Sequence, residues 1–186
     1  MSAPARPPFA EVYDEHVWSV YGFFGYRVPT RELAEDLTQA TFENALRAWD
    51  RYDPRRGSTL TWVMAIARNV LVDHYRRDRS ARHEPLADDE SATDALGSQP
   101  PEELGVSPEL ERALATLGAR ERELIALRFG AELGGPEIAE LTGLTLANVQ
   151  QILSRSLRKL RAELEGGAAD EGDERGAAPR GQRSTR

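Results

Sequence analysis

Helical periodicity is the feature of this sequence that most limits its fold. Apolar residues recur every three or four positions from Phe9 to Arg77 and again from Leu110 to Leu164, as one buried helix face requires. The interval between the two stretches, residues 79–107, is rich in proline, glycine and acids, which is linker composition. The pattern predicts an all-α protein in which a flexible acidic linker joins two small helical domains.

Local signals place the boundaries of the predicted helices. Thr30 stands just before Glu32, which is typical of an N-cap followed by an acid in the first turn. The segment Ser107-Pro108-Glu109 has the same character, with serine at the N-cap and proline at the first helical position. The predicted domains are residues 9–78 and 108–164, flanked by disordered segments at 1–8 and 165–186.

The composition excludes several classes of protein. The chain contains no cysteine, so disulfides and cysteine-based zinc sites are ruled out, and its three histidines lack metal-ligand spacing. The sequence has neither a run of 18 apolar residues nor a leader-like N-terminus, so we expect a cytoplasmic protein without membrane insertion. Because no nucleophile–base pattern or phosphate loop is present, we expect neither an enzyme nor a protein with a small-molecule substrate or cofactor.

Charge is segregated in a way that the net charge of -7 conceals. Seven arginines and two aspartates give residues 55–83 a charge of +5, and residues 144–162 carry +4 without any acid. Residues 84–111 hold nine acids and no lysine or arginine. Blocks of this kind indicate separate interaction surfaces, so the acidic total does not exclude nucleic acid as a partner.

Residues 135–162 have the spacing of a helix-turn-helix. Ile138 in a short helix, Gly143 in the turn and Val149 in the following helix provide the apolar contacts and the backbone freedom that two crossing helices need. The outward face of the second helix could then enter a major groove, where amides read bases and cations neutralise phosphates. The candidate residues on that helix are Thr145, Ala147, Gln150, Gln151, Ser154, Arg155 and Arg158. The alternative is an ordinary helical hairpin with a solvated basic end.

The third predicted helix, which begins at Ser58 or Thr59, carries aromatic, amide and cationic side chains on its polar margins. Such a surface can follow a nucleic-acid backbone and hold unstacked bases. The candidate residues are Trp62, Arg68, Asn69, Arg76 and Arg77. In the alternative interpretation Trp62, like Trp18 and Trp49, belongs to the core, and the arginines form a solvated face.

The second predicted helix, residues 32–48, has an acidic face rich in amides. This face is unsuited to DNA and suits a basic protein partner. Its members are Glu35, Asp36, Gln39, Glu43 and Asn44.

Three segments, taken together and in order, resemble the bacterial RNA polymerase sigma factors of the extracytoplasmic-function (ECF) class, in the sigma-70 superfamily. They are residues 33–42 (LAEDLTQATF), 61–69 (TWVMAIARN) and 136–143 (PEIAELTG). The resemblance covers roughly residues 9–78 and 108–164, with the family's region 2 bundle first and its region 4 helix-turn-helix second.

The resemblance implies a specificity subunit that directs promoter-specific transcription initiation. The second helix, including Phe42, would bind the clamp helices of the largest polymerase subunit. The third helix and the loop before it would melt the −10 element, with Asn69 capturing a base and Arg55 and Arg56 holding backbone. The helix-turn-helix would read the −35 element, with Arg128 at a further phosphate contact. The polymerase flap region and a cognate anti-sigma factor are also implied as partners.

The sequence departs from the family pattern at two positions of the second helix of the helix-turn-helix. Gln150 and Ile152 stand where the family commonly has basic residues, which weakens the salt-dependent part of −35 binding. A free-standing helix-turn-helix regulator, binding duplex operator DNA as a dimer, is the alternative function. Such a regulator would footprint its operator in the absence of polymerase, whereas members of the sigma factor family ordinarily do not.

Overall fold

The computed structural model describes residues 6–81 and 107–173, which fold into helices without a strand. The first domain contains α1 (Phe9–Gly25), α2 (Arg31–Ala48), a 3-10 turn (Trp49–Arg51) and α3 (Thr59–Ala81). The second contains α4 (Pro108–Ala115), α5 (Ala119–Ile125), a π-helical segment (Ala126–Gly130), α6 (Gly135–Thr142) and α7 (Leu146–Asp173). The all-α prediction is confirmed, whereas most of the predicted flexible linker lies outside the described residues.

The predicted N-caps are formed. The side chains of Thr30 and Ser107 each accept a hydrogen bond from the backbone N–H three residues ahead, both at 3.3 Å. Ser58 does the same at 3.1 Å, so Ser58 rather than Thr59 caps α3. These bonds satisfy N–H groups that a helix leaves without an internal partner.

Two helices extend beyond the predicted domain boundaries. Helix α3 continues to Ala81, past the predicted end of the domain at 78, and α7 continues to Asp173, so part of the predicted disordered segment 165–186 is helical. Extending an existing helix costs far less than nucleating one, and alanine and glutamate are strong helix formers. The two glycines at 166 and 167 therefore do not end α7.

The two domains contribute to one main hydrophobic core. Val20, Phe23 and Phe24 of α1 are fully buried in a cluster that also includes residues of α2 and α3. The same cluster contains residues of the second domain, namely Leu124, Ala126, Leu127, Ala131, Leu133, Ile138 and Val149. A smaller cluster joins α4 to α5 and α7. Burying the apolar face of α1 against a second layer of helices accounts for the shared core.

Gly22 of α1 and Gly130 of the π-helical segment meet backbone to backbone. A Cβ added to Gly130 would lie 2.6 Å from the Gly22 carbonyl carbon and 2.9 Å from the Phe23 nitrogen. A Cβ added to Gly22 would overlap the Gly130 carbonyl oxygen. The close approach therefore requires glycine at both positions.

His16 is the buried histidine of α1, with 5% of its surface exposed. Its Nε2 lies 2.7 Å from Thr59 Oγ1 at the start of α3, so the pair joins two helices by a hydrogen bond. Burial lowers the pKa of His16 below its ordinary value of 6.5, and the neighbouring Glu15 carboxylate offsets this only in part.

The free energy of unfolding should therefore decrease as the pH falls through about 6.5, because the unfolded chain then binds a proton that the folded chain does not. The loss stops once the pH is below the depressed pKa of the folded state. Urea unfolding at a series of pH values, on the wild type and on His16→Gln, should give a flatter profile for the variant. The pKa of His74 is lowered too, so the difference between the two profiles isolates His16. Parallel profiles would contradict the assignment.

Candidate promoter-binding and polymerase-binding surfaces

The helix-turn-helix is built by α6, α7 and the turn between them. Gly143 has a φ of 70°, the left-handed conformation that other residues adopt only at a cost of about 1–2 kcal/mol. Ile138 and Val149 are fully buried on either side of this turn, and Leu144 packs against the same core. The turn and its apolar contacts are those that the sequence spacing predicted.

The outward face of α7 is open to solvent. All seven candidate residues on this helix and its preceding turn are exposed: Thr145, Ala147, Gln150, Gln151, Ser154, Arg155 and Arg158. The Thr145 hydroxyl accepts a hydrogen bond from the Asn148 N–H at 3.2 Å, so it caps the helix as well as facing solvent. The structure therefore brings these side chains together as one accessible polar and basic surface.

Arg128 lies on the π-helical segment rather than on α7. Its Nη1 donates a hydrogen bond to the Leu133 carbonyl oxygen at 3.0 Å, while the residue as a whole remains exposed. This bond braces the segment that leads into α6.

Aromatic side chains at the junction of α2 and α3 form a cluster. Trp49 stacks on Tyr52 with ring centroids 5.0 Å apart, and Trp62 lies 5.6 Å from Trp49 and 5.3 Å from Tyr52. The Tyr52 hydroxyl donates a hydrogen bond to the Gly57 carbonyl oxygen at 3.0 Å. Trp62 is only partly buried, so the alternative interpretation that placed it in the core is correct in part. Its ring packs against Trp49 and Tyr52, and part of its surface remains accessible to solvent.

The loop and the exposed side of α3 carry most of the candidate −10 residues. Arg55, Arg56, Asn69, Arg76 and Arg77 are all exposed. Arg55 is paired with Asp53 at 3.0 Å, and this guanidinium holds the pKa of the Asp53 carboxyl below its ordinary value. Exposed pairs of this kind contribute little to stability, so Arg55 can exchange its partner for a phosphate.

Arg68 differs from the other candidates because it faces the second domain. Its Nε lies 2.7 Å from Glu123 Oε1 on α5, and its guanidinium also donates a hydrogen bond to the Leu141 carbonyl oxygen of α6. The Arg68 side chain is 26% exposed and that of Glu123 15%. In this conformation Arg68 holds the two domains together and is not available to DNA.

The acidic face of α2 is exposed at Glu35, Asp36, Gln39, Glu43 and Asn44. Glu35 pairs with Arg31 at 2.8 Å and Glu43 with Arg47 at 3.2 Å, both along the helix. Phe42 is buried instead, with 5% exposure, and packs against the rings of Phe9 and Tyr13. Its side chain therefore packs beneath the exposed acidic face of α2 and does not form part of that face.

A groove between α1 and α2 adjoins this acidic face, and sequence reasoning missed it. Trp18 is 75% exposed at the groove, beside Tyr13 and Leu46, which are also exposed, and Phe42 lies in its floor. One signal could have revealed it, because Trp18 falls outside the three- and four-residue spacing that defines the buried stripe of α1. Large aromatic side chains exposed beside a groove are typical of protein–protein contact sites.

Within the described ranges, no group of histidine or acidic side chains is placed to hold a metal ion. None of the described helices is both long and apolar enough to cross a membrane.

Comparison with family models identifies the class of protein that this fold and these surfaces define. Residues 12–81 match the model of sigma-70 region 2, and residues 113–162 match that of sigma-70, region 4. The first match ends at Ala81, where α3 ends. The chain is therefore a two-region protein of the sigma-70 type.

Similar proteins narrow the class. The chain is 30% identical over 158 residues to the ECF RNA polymerase sigma factor RpoE of Cereibacter sphaeroides, covering 84% of this chain and 86% of the relative. It is 30% identical over 157 residues to the RNA polymerase sigma factor CarQ of Myxococcus xanthus, covering 84% and 89%. The chain belongs to the ECF class of RNA polymerase sigma factors, whose role is promoter-specific transcription initiation.

Solved structures agree on the fold. CnrH, determined in complex with the cytosolic domain of CnrY, is 26% identical with a TM-score of 0.59, covering 85% of this chain and 88% of that chain. The sigma factor RpoE of Bartonella quintana, determined in complex with the anti-sigma factor NepR, is 22% identical with a TM-score of 0.64, covering 84% and 96%. Both alignments span the two regions, so the fold extends over both domains.

Proposed function

We propose that this sigma factor binds core RNA polymerase through α2, reads the −35 element with α7 and melts the −10 element with the loop before α3 and α3 itself. It acts in the cytoplasm as a binding subunit without enzymatic activity. Binding, rather than chemistry, accounts for the charged and amide side chains exposed on these helices.

The observation that carries the proposal is the outward face of α7. Seven polar, small or basic side chains lie exposed there, on a segment that carries +4 without an acid. Gln150 and Gln151 can bond to base edges, whereas Arg155 and Arg158 can neutralise phosphates. Gln150 stands on this face where the family commonly has a basic residue, so binding should depend less on salt and more on base contacts and on DNA shape. Ile152, the other such position, packs against the core instead.

The acidic face of α2 and the groove beside it support polymerase binding. Acids and amides on α2 supply complementarity to a basic helical partner, while Trp18, Tyr13 and Leu46 add apolar contact area. We assign this combined surface to the clamp helices of the largest subunit, and the second domain to the flap region. Most of the acidic linker, which would thread polymerase channels, lies outside the described residues.

A cognate anti-sigma factor is a further proposed partner. The similar structure of the sigma factor RpoE contains the anti-sigma factor NepR, and that of CnrH contains the cytosolic domain of CnrY. Such a partner would compete for the α2 face or for α7.

The proposal predicts that the purified chain forms open complexes with core polymerase only at a defined set of promoters. Mapping its binding sites across the genome after induction should identify those promoters, and run-off transcription on them should require both chain and core. Core enzyme alone is the control. A footprint on duplex DNA without polymerase, together with no co-purification with core at low salt, would instead establish the stand-alone regulator.

A further inference from the structure

A short segment before α1, residues 6–8, contacts the aromatic cluster at the junction of α2 and α3. Arg6 Nη1 donates a hydrogen bond to the Trp49 carbonyl oxygen at 2.8 Å, and its Nη2 donates one to Asp50 Oδ1 at 3.3 Å. The guanidinium carbon of Arg6 lies 5.5 Å from the centroid of the Trp49 ring, within the range of a cation–π contact. One side chain therefore holds both the backbone and the ring of Trp49.

The contact with the Trp49 carbonyl matters more than the ion pair. The side chain of Asp50 is 96% exposed and that of Arg6 37%, and exposed ion pairs contribute little to stability. The Trp49 carbonyl oxygen, in contrast, also accepts the hydrogen bond from the Tyr52 N–H that closes the 3-10 turn, at 3.1 Å. Arg6 is therefore tied to the turn itself and not only to a mobile surface carboxylate.

Two prolines prepare Arg6 for this contact. Pro7 and Pro8 separate it from Phe9, the first residue of α1, whose ring lies 5.4 Å from that of Trp49. Pro8 has a φ of −58° and a ψ of 139°, which is the polyproline II conformation. Because proline fixes φ, this segment loses little conformational freedom when Arg6 binds Trp49.

Trp49 connects this contact to the loop before α3. Its ring stacks on Tyr52, and the Tyr52 hydroxyl donates a hydrogen bond to the Gly57 carbonyl oxygen at 3.0 Å. Tyr52 is buried, with 8% of its surface exposed. The chain between Tyr52 and Gly57 carries Arg55 and Arg56, both exposed. The position of Trp49 therefore determines where both ends of this loop are held.

We propose that Arg6 is a positioning residue for promoter opening: by holding Trp49 it orients the loop of residues 52–57, so that Arg55 and Arg56 can contact the DNA of the −10 element. The proposal rests on the function proposed above for this loop. Arg6 precedes the residues that match the model of sigma-70 region 2, which begin at Val12. The segment before α1 thus adds to the matched domain a contact that the domain does not contain.

Amide hydrogen exchange, followed by NMR, measures the order of the loop in the absence of polymerase. In Arg6→Ala, exchange of the Tyr52 N–H should become about five- to tenfold faster, because a hydrogen bond and a cation–π contact on Trp49 are lost. Arg6→Lys should restore only part of the protection, since lysine keeps the cation but not the planar fork. The Val28 N–H, bonded to the Phe24 carbonyl oxygen at 2.9 Å, is the internal control. Unchanged exchange of Tyr52 in Arg6→Ala would overturn the proposal.

A double-mutant cycle tests whether Arg6 acts through the loop. Permanganate reactivity at a promoter of this protein should show about five- to tenfold less opening in Arg6→Ala, with affinity for core polymerase within about twofold of the wild type. In a background of Arg55→Ala and Arg56→Ala, Arg6→Ala should cause no further loss. At low salt this background should still open the promoter measurably, because it keeps Asn69. A further loss of full size there would show that Arg6 contacts DNA itself and would overturn the proposal.

Arg51→Ala is the matched control for these measurements. It removes the same charge from an exposed position of the same 3-10 turn, and its promoter opening should stay within about twofold of the wild type. An equal loss in Arg51→Ala would show that charge near the loop, and not the Trp49 contact, is responsible.

The wild type tests the proposed function separately. If it opens the promoter and the variant without Arg55 and Arg56 opens it less, the loop has its proposed role, and an Arg6→Ala variant equal to the wild type would refute the role of Arg6 alone. If the wild type forms no open complex with core polymerase, the proposed function is contradicted. The exchange of the Tyr52 amide would still decide whether Arg6 orders the loop.

Discussion

Replacing Asp36 by arginine is expected to lower the affinity for core RNA polymerase by about 100-fold, or roughly 3 kcal/mol. Asp36 lies exposed in the first half of α2, between Glu35 and Gln39 on the proposed polymerase-binding face. A cation there would face the basic partner that the acidic helix is proposed to fit, and like charges in an interface cost several kcal/mol. Titration of labelled protein with core enzyme at moderate salt measures the change.

Asp73→Arg is the matched control for this variant. It makes the same change of net charge at an exposed position on α3, outside the proposed polymerase-binding face. We expect its affinity for core to stay within about twofold of the wild type. Both variants should retain wild-type helicity, because neither side chain is buried. Equal losses in the two variants would show that net charge, and not the α2 face, determines binding.

Most of the local structure follows from short-range chemistry. Thr30, Ser107 and Gly143 each satisfy a requirement of the backbone within four residues, either a capping hydrogen bond or a positive φ. Periodicity indicated which face of each helix is buried. The helices and the helix-turn-helix could therefore be predicted without knowledge of the tertiary contacts.

The contact between the domains depends on residues that are far apart in the chain. Arg68 and Glu123 are separated by 55 positions, and the sequence shows only a cation on one helix and an acid on another. Gly22 resembles any weak point of a helix until Gly130 lies against it. No rule of spacing or propensity joins such pairs, which is why the sequence predicts the two domains but not the core that they share.

The exposed surfaces, too, include residues whose position could be predicted from the sequence and residues whose position could not. Exposure of the seven candidates on α7 follows from the buried positions of Ile138 and Val149, since a helix with one buried face exposes the other. Phe42 lay within a segment that carries the family resemblance, yet it packs beneath the α2 face. Trp18 was a candidate for the core and instead lines the groove. Aromatic residues are ambiguous in sequence because they serve both cores and interfaces.

Replacing Asn69 by alanine should reduce open-complex formation by about 10- to 100-fold and leave affinity for core polymerase within about twofold. Asn69 is exposed on α3, where its amide is proposed to capture a base that has left the duplex. Permanganate reactivity of thymines in the −10 region measures melting, and the titration used for Asp36→Arg measures assembly.

Val72→Ala is the control, because it truncates another exposed side chain of α3 outside the candidate set. Melting by this variant should match the wild type. A promoter opened in advance by mismatched bases separates melting from capture: it should rescue Asn69→Ala if the amide helps only to break base pairs, and should fail to do so if the amide holds the flipped base. If Asn69→Ala lost melting and core binding equally, α3 could not be the helix that binds DNA while α2 alone binds polymerase. One exposed amide would then contribute to both contacts, which the proposed division of roles between α3 and α2 excludes.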